Sequence, residues 1–414
     1  MSENYLLPII SFESAIMERG KGSYVFDTDG KQYLDLNSGQ FCTVLGHSNE
    51  DILDSITRAM SEISHTGSNI LTKDVVKCAK KIHELSGNMR AYSILLSTGA
   101  ESVEFALRYA KHIKQKSGII CFEKGYHGLT LGTQSVTFGG KFATPYVSDI
   151  YQTPIPNTIS SDKTEEECIK EFETLVLNVH DKVAAVLMEP VVSVGGMLFL
   201  SADYFKKIRA ICDAYDILLI FDESQTCFGR LGSWFAFEKY DVIPDMVCLA
   251  KGIGLGYPVS MVLFRDILIP KDGFKMTHYS SHQNDSFAAS IVNAGIDYIE
   301  KNKLLDSISE KGVYFLNALT NLCEKNPHIR YPRGCGLMLG ADLYFEGVTD
   351  YRNIYHLIYQ EMMKNGVIIQ GTDGGRVLRF LPDYLIAKSD IDFAMDTLDK
   401  VLCCKDWRIF STIS

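Results

Sequence analysis

The stretch ILLIFDESQ, residues 217–225, sets five uninterrupted apolar residues directly before Asp222, Glu223, Ser224 and Gln225. So short a block without alternation suits a strand buried on both faces, as in a parallel sheet covered by helices. From about residue 90 to 265 the pattern recurs, with short apolar blocks at 94–96, 118–122, 183–188, 218–221, 246–250 and 259–264. Between them, residues 100–116 carry Val103, Ala106, Leu107, Ala110 and Ile113 at helical spacing. Glu101 and Glu104 stand near its start and Lys111, Lys114 and Lys116 near its end, as the helix dipole favours. Residues 202–215 repeat the spacing with Phe205, Ile208, Cys212 and Tyr215. The expected class is α/β, a large domain with a mostly parallel sheet covered by helices.

Beyond about residue 310 the pattern becomes helix, strands and helix, with RGCGLMLGADLYF (333–345) and RVLRFLP (376–382) expected as strands of a smaller α+β domain. SYVFDTDGKQYLDL, residues 23–36, places two β-rich runs around Asp29-Gly30, a strong hairpin signal. A calcium loop is not expected there, because a third acidic ligand and a distant bidentate glutamate are missing. The expected division is a segment 1–50 packing with the small domain, a large domain 51–310 and a small domain 311–414.

The 414 residues allow two or three domains, or one large domain with an appendage. With 46% hydrophobic and 22% charged residues the chain is globular rather than disordered or fibrous. A net charge of −10 without a long basic stretch argues against nucleic acid or an anionic membrane surface as partner, so a small ligand is expected. No apolar run approaches the ~18 residues of a bilayer span. Glu3 and the lack of a basic region before the first apolar residues argue against a secretory signal. Eleven scattered cysteines without a CxxC pair suggest reduced thiols and a cytoplasmic setting.

In such sheets ligands gather at the carboxyl ends of strands, so polar residues that directly follow apolar blocks come first. Ser97-Thr98-Gly99-Ala100-Glu101-Ser102 turns a strand into a helix N-terminus whose free N–H groups suit a phosphate; Thr98 as a plain N-cap is the alternative. Asp222-Glu223 and Glu189-Pro190 put carboxylates at buried strand ends, where each must be paired, whether structurally or at a site. Lys251 follows MVCLA and precedes GIGLGYP, as a salt-bridge partner or a tuned amine. The glycines 252, 254 and 256 have GxGxG spacing, which does not match a dinucleotide loop. A phosphate cradle, a carboxylate on a buried strand and a strand-end lysine together suit pyridoxal phosphate. That cofactor needs a lysine to carry it, an acid to keep the pyridine nitrogen protonated, and an anion site. No metal is expected.

On the motifs YVFDTDGKQYLDLNSGQ with LGH, STGAESVEFALR, GYHG, MEP, FDESQTCFGRLG, LAKGIGLGYP, RGCGLMLG and VLRFLP, nearly the whole chain resembles the class III aminotransferases, which are fold-type I pyridoxal-phosphate enzymes. The resemblance implies Lys251 as the Schiff-base lysine, Asp222 as partner of the pyridine nitrogen and Gln225 as a contact to the ring oxygen. It implies Thr98, Gly99 and Ala100 around the phosphate and Tyr126 stacked on the ring. Ser281 stands where the family has a threonine reaching the neighbouring subunit's phosphate, which implies a homodimer. Arg379 matches the arginine that grips a substrate carboxylate; from the residues alone it is either buried and paired or lining a site. His127 beside the ring is expected to fill structure rather than move protons.

Two departures bear on substrate. Val194 stands where the ornithine and 4-aminobutyrate branches have a glutamate that pairs with the arginine, so Arg379 is expected to stay available for an α-carboxylate. Ser38-Gly39-Gln40, the SVGG segment and HQND at 282–285 are closer to the 2,2-dialkylglycine decarboxylase branch, in which Gln40 lies near the breaking bond; Tyr126 and Ser286 depart from that branch. The leading expectation is transamination between an amino donor and a 2-oxo acid. The alternatives are decarboxylation-dependent transamination or amino-acid epimerisation on the same scaffold, and a non-catalytic cofactor-binding module.

Overall fold

The computed structural model describes residues 6, 7, 9, 12–137, 147–157, 163–271, 276–404 and 406–410. Its largest sheet has, among the described residues, seven strands in the spatial order Tyr92–Leu96, Ser260–Phe264, Met246–Leu249, Leu218–Asp222, Val183–Met188, Gly118–Phe122 and Ile150–Thr153. Leu218–Asp222 is central and parallel to both neighbours, with Leu218 opposite Ala185 and Ile220 opposite Met246. The strand Ser260–Phe264 runs antiparallel between Met246–Leu249 and Tyr92–Leu96.

Alternate residues of the central strand enter different cores, as expected for burial on both faces. Leu219 and Phe221 join one apolar cluster, Leu218 and Ile220 the other. The helix Ala202–Ala214 covers the first face with Phe205, Ile208 and Cys212, and Phe205 meets Phe221 edge-on at 5.7 Å between ring centroids. The helix Gly99–Lys114 covers the second with Val103, Ala106, Leu107 and Ala110. Each fully buried Leu, Ile or Phe side chain contributes roughly 1.5–3 kcal/mol, so these contacts fix both helices on the sheet.

The N-terminal strands Met17–Lys21, Tyr24–Asp27 and Gln32–Asp35 form the expected hairpin with one further strand. Asp27 shapes its turn, accepting from the Asp29 and Lys31 amides at 3.0 and 2.9 Å and from the Tyr33 hydroxyl at 2.7 Å. Val367–Ile368 pairs in parallel with Gln32–Asp35, which links the two chain ends. Another four-stranded sheet runs Ile329–Cys335, Met338–Leu343, Val377–Phe380, Gln370–Thr372. The segment 333–345, expected as a strand, therefore folds back on itself, turning at Gly336 with φ +55°. Its even apolar-and-glycine pattern hid that turn. Among the described residues no helix is long and apolar enough to cross a membrane. The cysteines are free thiols, six of them buried and only Cys403 and Cys404 exposed.

Candidate active site

Every strand of the large sheet except Ser260–Phe264 points the same way, and a cleft of about 480 Å³ opens beyond the carboxyl ends of several of them. Gln40, Thr98, Gly99, Ala100, Tyr126, Asp222, Gln225 and Lys251 all line it, together with His127 and Glu189. Ser281 and Arg379 do not.

Asp222 ends the central strand and is only 5% exposed. His127 Nδ1 lies 2.8 Å from its Oδ2, and the Ser224 hydroxyl and amide donate to Oδ1 at 2.6 and 3.1 Å. Burial by itself pushes this carboxyl up; the hydrogen bond and charge of His127, the Ser224 hydroxyl and the Lys251 ammonium overcome it and hold the group below the usual carboxylate range. The site thus keeps a buried carboxylate ionised. His127 thereby steadies that acid. Lys251 begins a single 3₁₀ turn, Lys251–Gly254, with φ +50°.

On the wall beside Lys251, the helix Gly99–Lys114 presents its N-terminus. Thr98 is indeed its N-cap, its Oγ1 accepting from the Glu101 amide at 3.3 Å, while Gly99 and Ala100 supply first-turn amides that a helix start leaves without intrahelical partners. A Cβ on Gly99 would meet Ala250 Cβ and Ser224 Oγ at 3.2 Å, so any larger residue there would have to push these neighbours back by a few tenths of an ångström. Gly128, at φ +110°, lets the loop 126–129 close on the same helix start, where a Cβ would lie 2.6 Å from that of Ala100. Gln225 Oε1 and His127 Nε2 are buried without a partner among the described residues, polar atoms in a cleft wall that a polar ligand would satisfy.

Glu189 follows the strand Val183–Met188 and orders the loop carrying Tyr126: its Oε1 accepts from the Tyr126 amide at 2.9 Å, its Oε2 from the Ser193 amide at 3.4 Å. Burial pushes this carboxyl up to about 7. An unfolded glutamate ionises near pH 4.3. Between those values the folded chain holds a proton here that the unfolded chain has released, so the contribution of Glu189 to stability falls as pH rises from about 4 to about 7 and is level above. Glu189→Gln is expected to lack this fall. Its melting temperature relative to the parent should climb over that window, by the equivalent of about 4 kcal/mol at most. Thermal melts in steps from pH 5 to 8 measure it; a constant difference between the two proteins would contradict the cause given.

Arg379 is 4% exposed and sits between Met338–Leu343 and Gln370–Thr372, in register with Gly340 and Gln370. It is buried, but among the described residues no carboxylate pairs with it. Nη1 donates to Ser193 Oγ at 2.9 Å and Nη2 to Gln370 Oε1 at 2.6 Å, both neutral acceptors, while buried Nε has none. Its Cζ lies 5.0 Å from the centre of the Phe41 ring. Burial lowers its pKa to about 10, against the pull of Tyr355 and Glu189, so it stays charged at neutral pH.

Phe41 belongs to a feature the sequence reading missed. Ser38, Gly39, Gln40 and Phe41 have φ of 38°, 57°, 59° and 70°, a left-handed turn that puts Gln40 on the cleft and Phe41 on Arg379. Left-handed geometry costs on the order of 1–2 kcal/mol for each non-glycine residue. Asp35 opposes that cost by accepting from the Asn37 and Gly39 amides, each at 2.9 Å. The Ser38 hydroxyl donates to the Leu381 carbonyl at 2.5 Å. Arg230, fully buried, reaches Ser38 Oγ at 3.4 Å and binds the Leu337 and Pro382 carbonyls at 3.0 and 2.5 Å. The one signal available for Arg230 was its being the lone charge in the stretch 226–237.

A cleft at the carboxyl ends of a mainly parallel sheet, walled by a helix N-terminus, an ionised buried acid and a lysine, is the arrangement of fold-type I pyridoxal-phosphate transferases. The family model for aminotransferase class-III matches residues 11–402, and the chain belongs to that family. It is 34% identical to an acetylornithine aminotransferase of Methanocaldococcus jannaschii, covering 97% of this chain and 96% of the relative. It is 31% identical to a succinylornithine transaminase of Photorhabdus laumondii, with the same coverage of 97% and 96%. The fold is shared with a PLP-bound amine transaminase from an uncultivated Pseudomonas species at a TM-score of 0.90, with 24% identity and coverage of 98% and 99%. The protein is a pyridoxal-phosphate-dependent aminotransferase.

Proposed function

We propose that the enzyme exchanges an amino group between a carboxylate-bearing amino donor, an α-amino acid above all, and a 2-oxo acid, with Arg379 gripping the carboxylate. One observation carries this reading: a buried, charged guanidinium whose hydrogen-bond partners among the described residues are the neutral Ser193 and Gln370, with Nε left over. A planar fork of donors without an acid is matched by a carboxylate. Val194 leaves the neighbouring position without a competing charge.

When bound, pyridoxal phosphate supplies the electron sink for breaking a bond at the substrate's α-carbon. Lys251 would hold the cofactor covalently through its Nζ and, once released, would move the proton at the substrate's α-carbon. Asp222, buried and ionised, would keep the proton on the pyridine nitrogen. Thr98, Gly99 and Ala100 would hold the phosphate, Gln225 the ring oxygen and Tyr126 the ring itself. Ser281, on a turn outside its own cleft, completes the neighbouring site of a homodimer. Free thiols throughout the chain favour the cytoplasm. Placement of Gln40 on the cleft by a strained turn favours one second reading, transamination driven by loss of CO₂ from the donor.

A panel of amines mixed with the yellow holoenzyme, followed by its bleaching, tests both readings. Amino acids should bleach it and amines lacking a carboxylate should do so far more slowly. In Arg379→Ala the advantage of carboxylated donors should shrink by two orders of magnitude or so, the scale of one lost charge-assisted pair of about 3 kcal/mol. Equal loss for both amine classes would refute the grip. Release of CO₂ in step with bleaching would support the second reading.

A further inference from the structure

Beside the cleft, the loop that leaves the helix Glu50–Glu62 meets the turn that precedes the helix Ser286–Lys301. Two imidazoles converge there on one carboxylate oxygen. His65 Nδ1 lies 2.8 Å and His282 Nδ1 3.0 Å from Asp285 Oδ2, with the ring centroids 4.9 Å apart and tilted by 45°. All three ligand atoms fall within 4.8 Å of one another. Asp285 is 7% exposed and its other oxygen is fixed, accepting from the Ala288 amide at 3.0 Å as N-cap of the helix. The backbones are already latched: Ser68 Oγ donates to the Ser280 carbonyl at 2.9 Å, Thr72 and Ser286 hydroxyls meet at 2.9 Å, and the Asn284 amide donates to the Leu95 carbonyl at 3.0 Å.

We propose that His65, His282 and Asp285 form a site for a divalent transition metal of the zinc class. Two imidazole nitrogens and a carboxylate oxygen suit zinc, cobalt or nickel, whereas magnesium and calcium demand mainly oxygen. Bonds of about 2.0–2.1 Å in tetrahedral array separate ligand atoms by about 3.3 Å, so to admit the ion each ring draws back from Asp285 by up to about half an ångström and the two histidine nitrogens, within 4.8 Å of one another, settle at that same separation. The N-cap bond orients the carboxylate from behind, as an outer partner orients a metal ligand. Three protein ligands leave a fourth position open. A pocket of about 180 Å³ adjoins them, lined by His282 and Asp285 and by Ser97, Tyr257 and Pro258, which also line the active cleft. The ion clamps the turn bearing Ser281 to the loop after the first long helix, at the rim of the site.

Holoenzyme stripped with a chelator and dialysed is titrated with Co²⁺ and then Zn²⁺, with metal content measured by elemental analysis. The expected result is one Co²⁺ per chain with the visible absorption of a tetrahedral site, displaced by Zn²⁺, and a melting temperature that rises with metal concentration. Exposed Cys403 and Cys404 are competing ligands, so Cys403→Ser/Cys404→Ser should keep the bound equivalent. His65→Ala and His282→Ala should each weaken binding at least about tenfold, and the double variant should abolish the absorption. Absence of a bound equivalent in the parent, or undiminished binding in a folded double histidine variant, overturns the proposal.

Discussion

Lys251→Ala is expected to slow transamination by a factor on the order of 10⁴ or more and to leave a protein whose cofactor can be dialysed away. In the role proposed for Lys251 two jobs vanish with the amine: covalent attachment of the cofactor and proton movement at the substrate's α-carbon, the latter alone worth about 10²–10⁴. Folding should be spared. Lys251 already occupies a left-handed conformation that alanine tolerates about as well, and its side chain is not part of the apolar core. Borohydride treatment followed by mass measurement reads attachment, and single-turnover mixing with an amino acid reads the chemistry. A variant that still acquires the cofactor's mass after reduction would place the attachment elsewhere, and unchanged single-turnover rates would remove Lys251 from the reaction. Lys251→Arg separates charge from nucleophilicity: it should hold pyridoxal phosphate better than alanine yet remain as inactive, because a guanidinium stays protonated.

How far the sequence led depended on whether a feature is local. Strands Gly118–Phe122 and Val183–Met188 were legible to the residue, since burial on both faces leaves an apolar run with no other explanation. Ile150–Thr153 escaped notice, being a short, half-buried edge strand. The left-handed turn Ser38–Phe41 could not be read at all. Local preference opposes it, and besides nearby Asp35 what sustains it comes from Arg230 and the Leu381 carbonyl, some two hundred and more positions away. The site divides along the same line. Asp222 and Lys251 announced themselves by following buried strands, where ligands gather. The His127–Asp222 contact joins residues 95 apart, and the neutral company of Arg379 depends on a sheet register that spacing does not encode.

Asp222→Asn should lower kcat by two to three orders of magnitude while the cofactor stays attached, and this pairing of effects separates its role from that of Lys251. Asparagine keeps the shape and an acceptor for His127 but removes the charge, so in the role proposed for Asp222 the pyridine nitrogen would lose the ion pair that favours its protonation. Each unit of pKa lost there corresponds to about 1.4 kcal/mol, and removal of one aligned electrostatic partner in a closed site costs about 10²–10³ in rate. The carboxyl is held below its ordinary range, so it is ionised at every pH at which the enzyme is assayed, and no acidic limb of the parent's kcat profile should belong to it. Stability follows the sign of that shift. A depressed carboxyl contributes above its unfolded value near 3.9, and the contribution fades as pH falls through the folded value, so Asp222→Asn should be less stable than the parent at neutral pH and approach it in acid. Stopped-flow half-reactions and thermal melts on the same preparations resolve the two effects. Unchanged kcat with lowered neutral-pH stability would make Asp222 a structural anchor for His127 alone. Loss of kcat without that pH-dependent stability difference would mean that His127 and Ser224 do not stabilise the charged form as their geometry indicates.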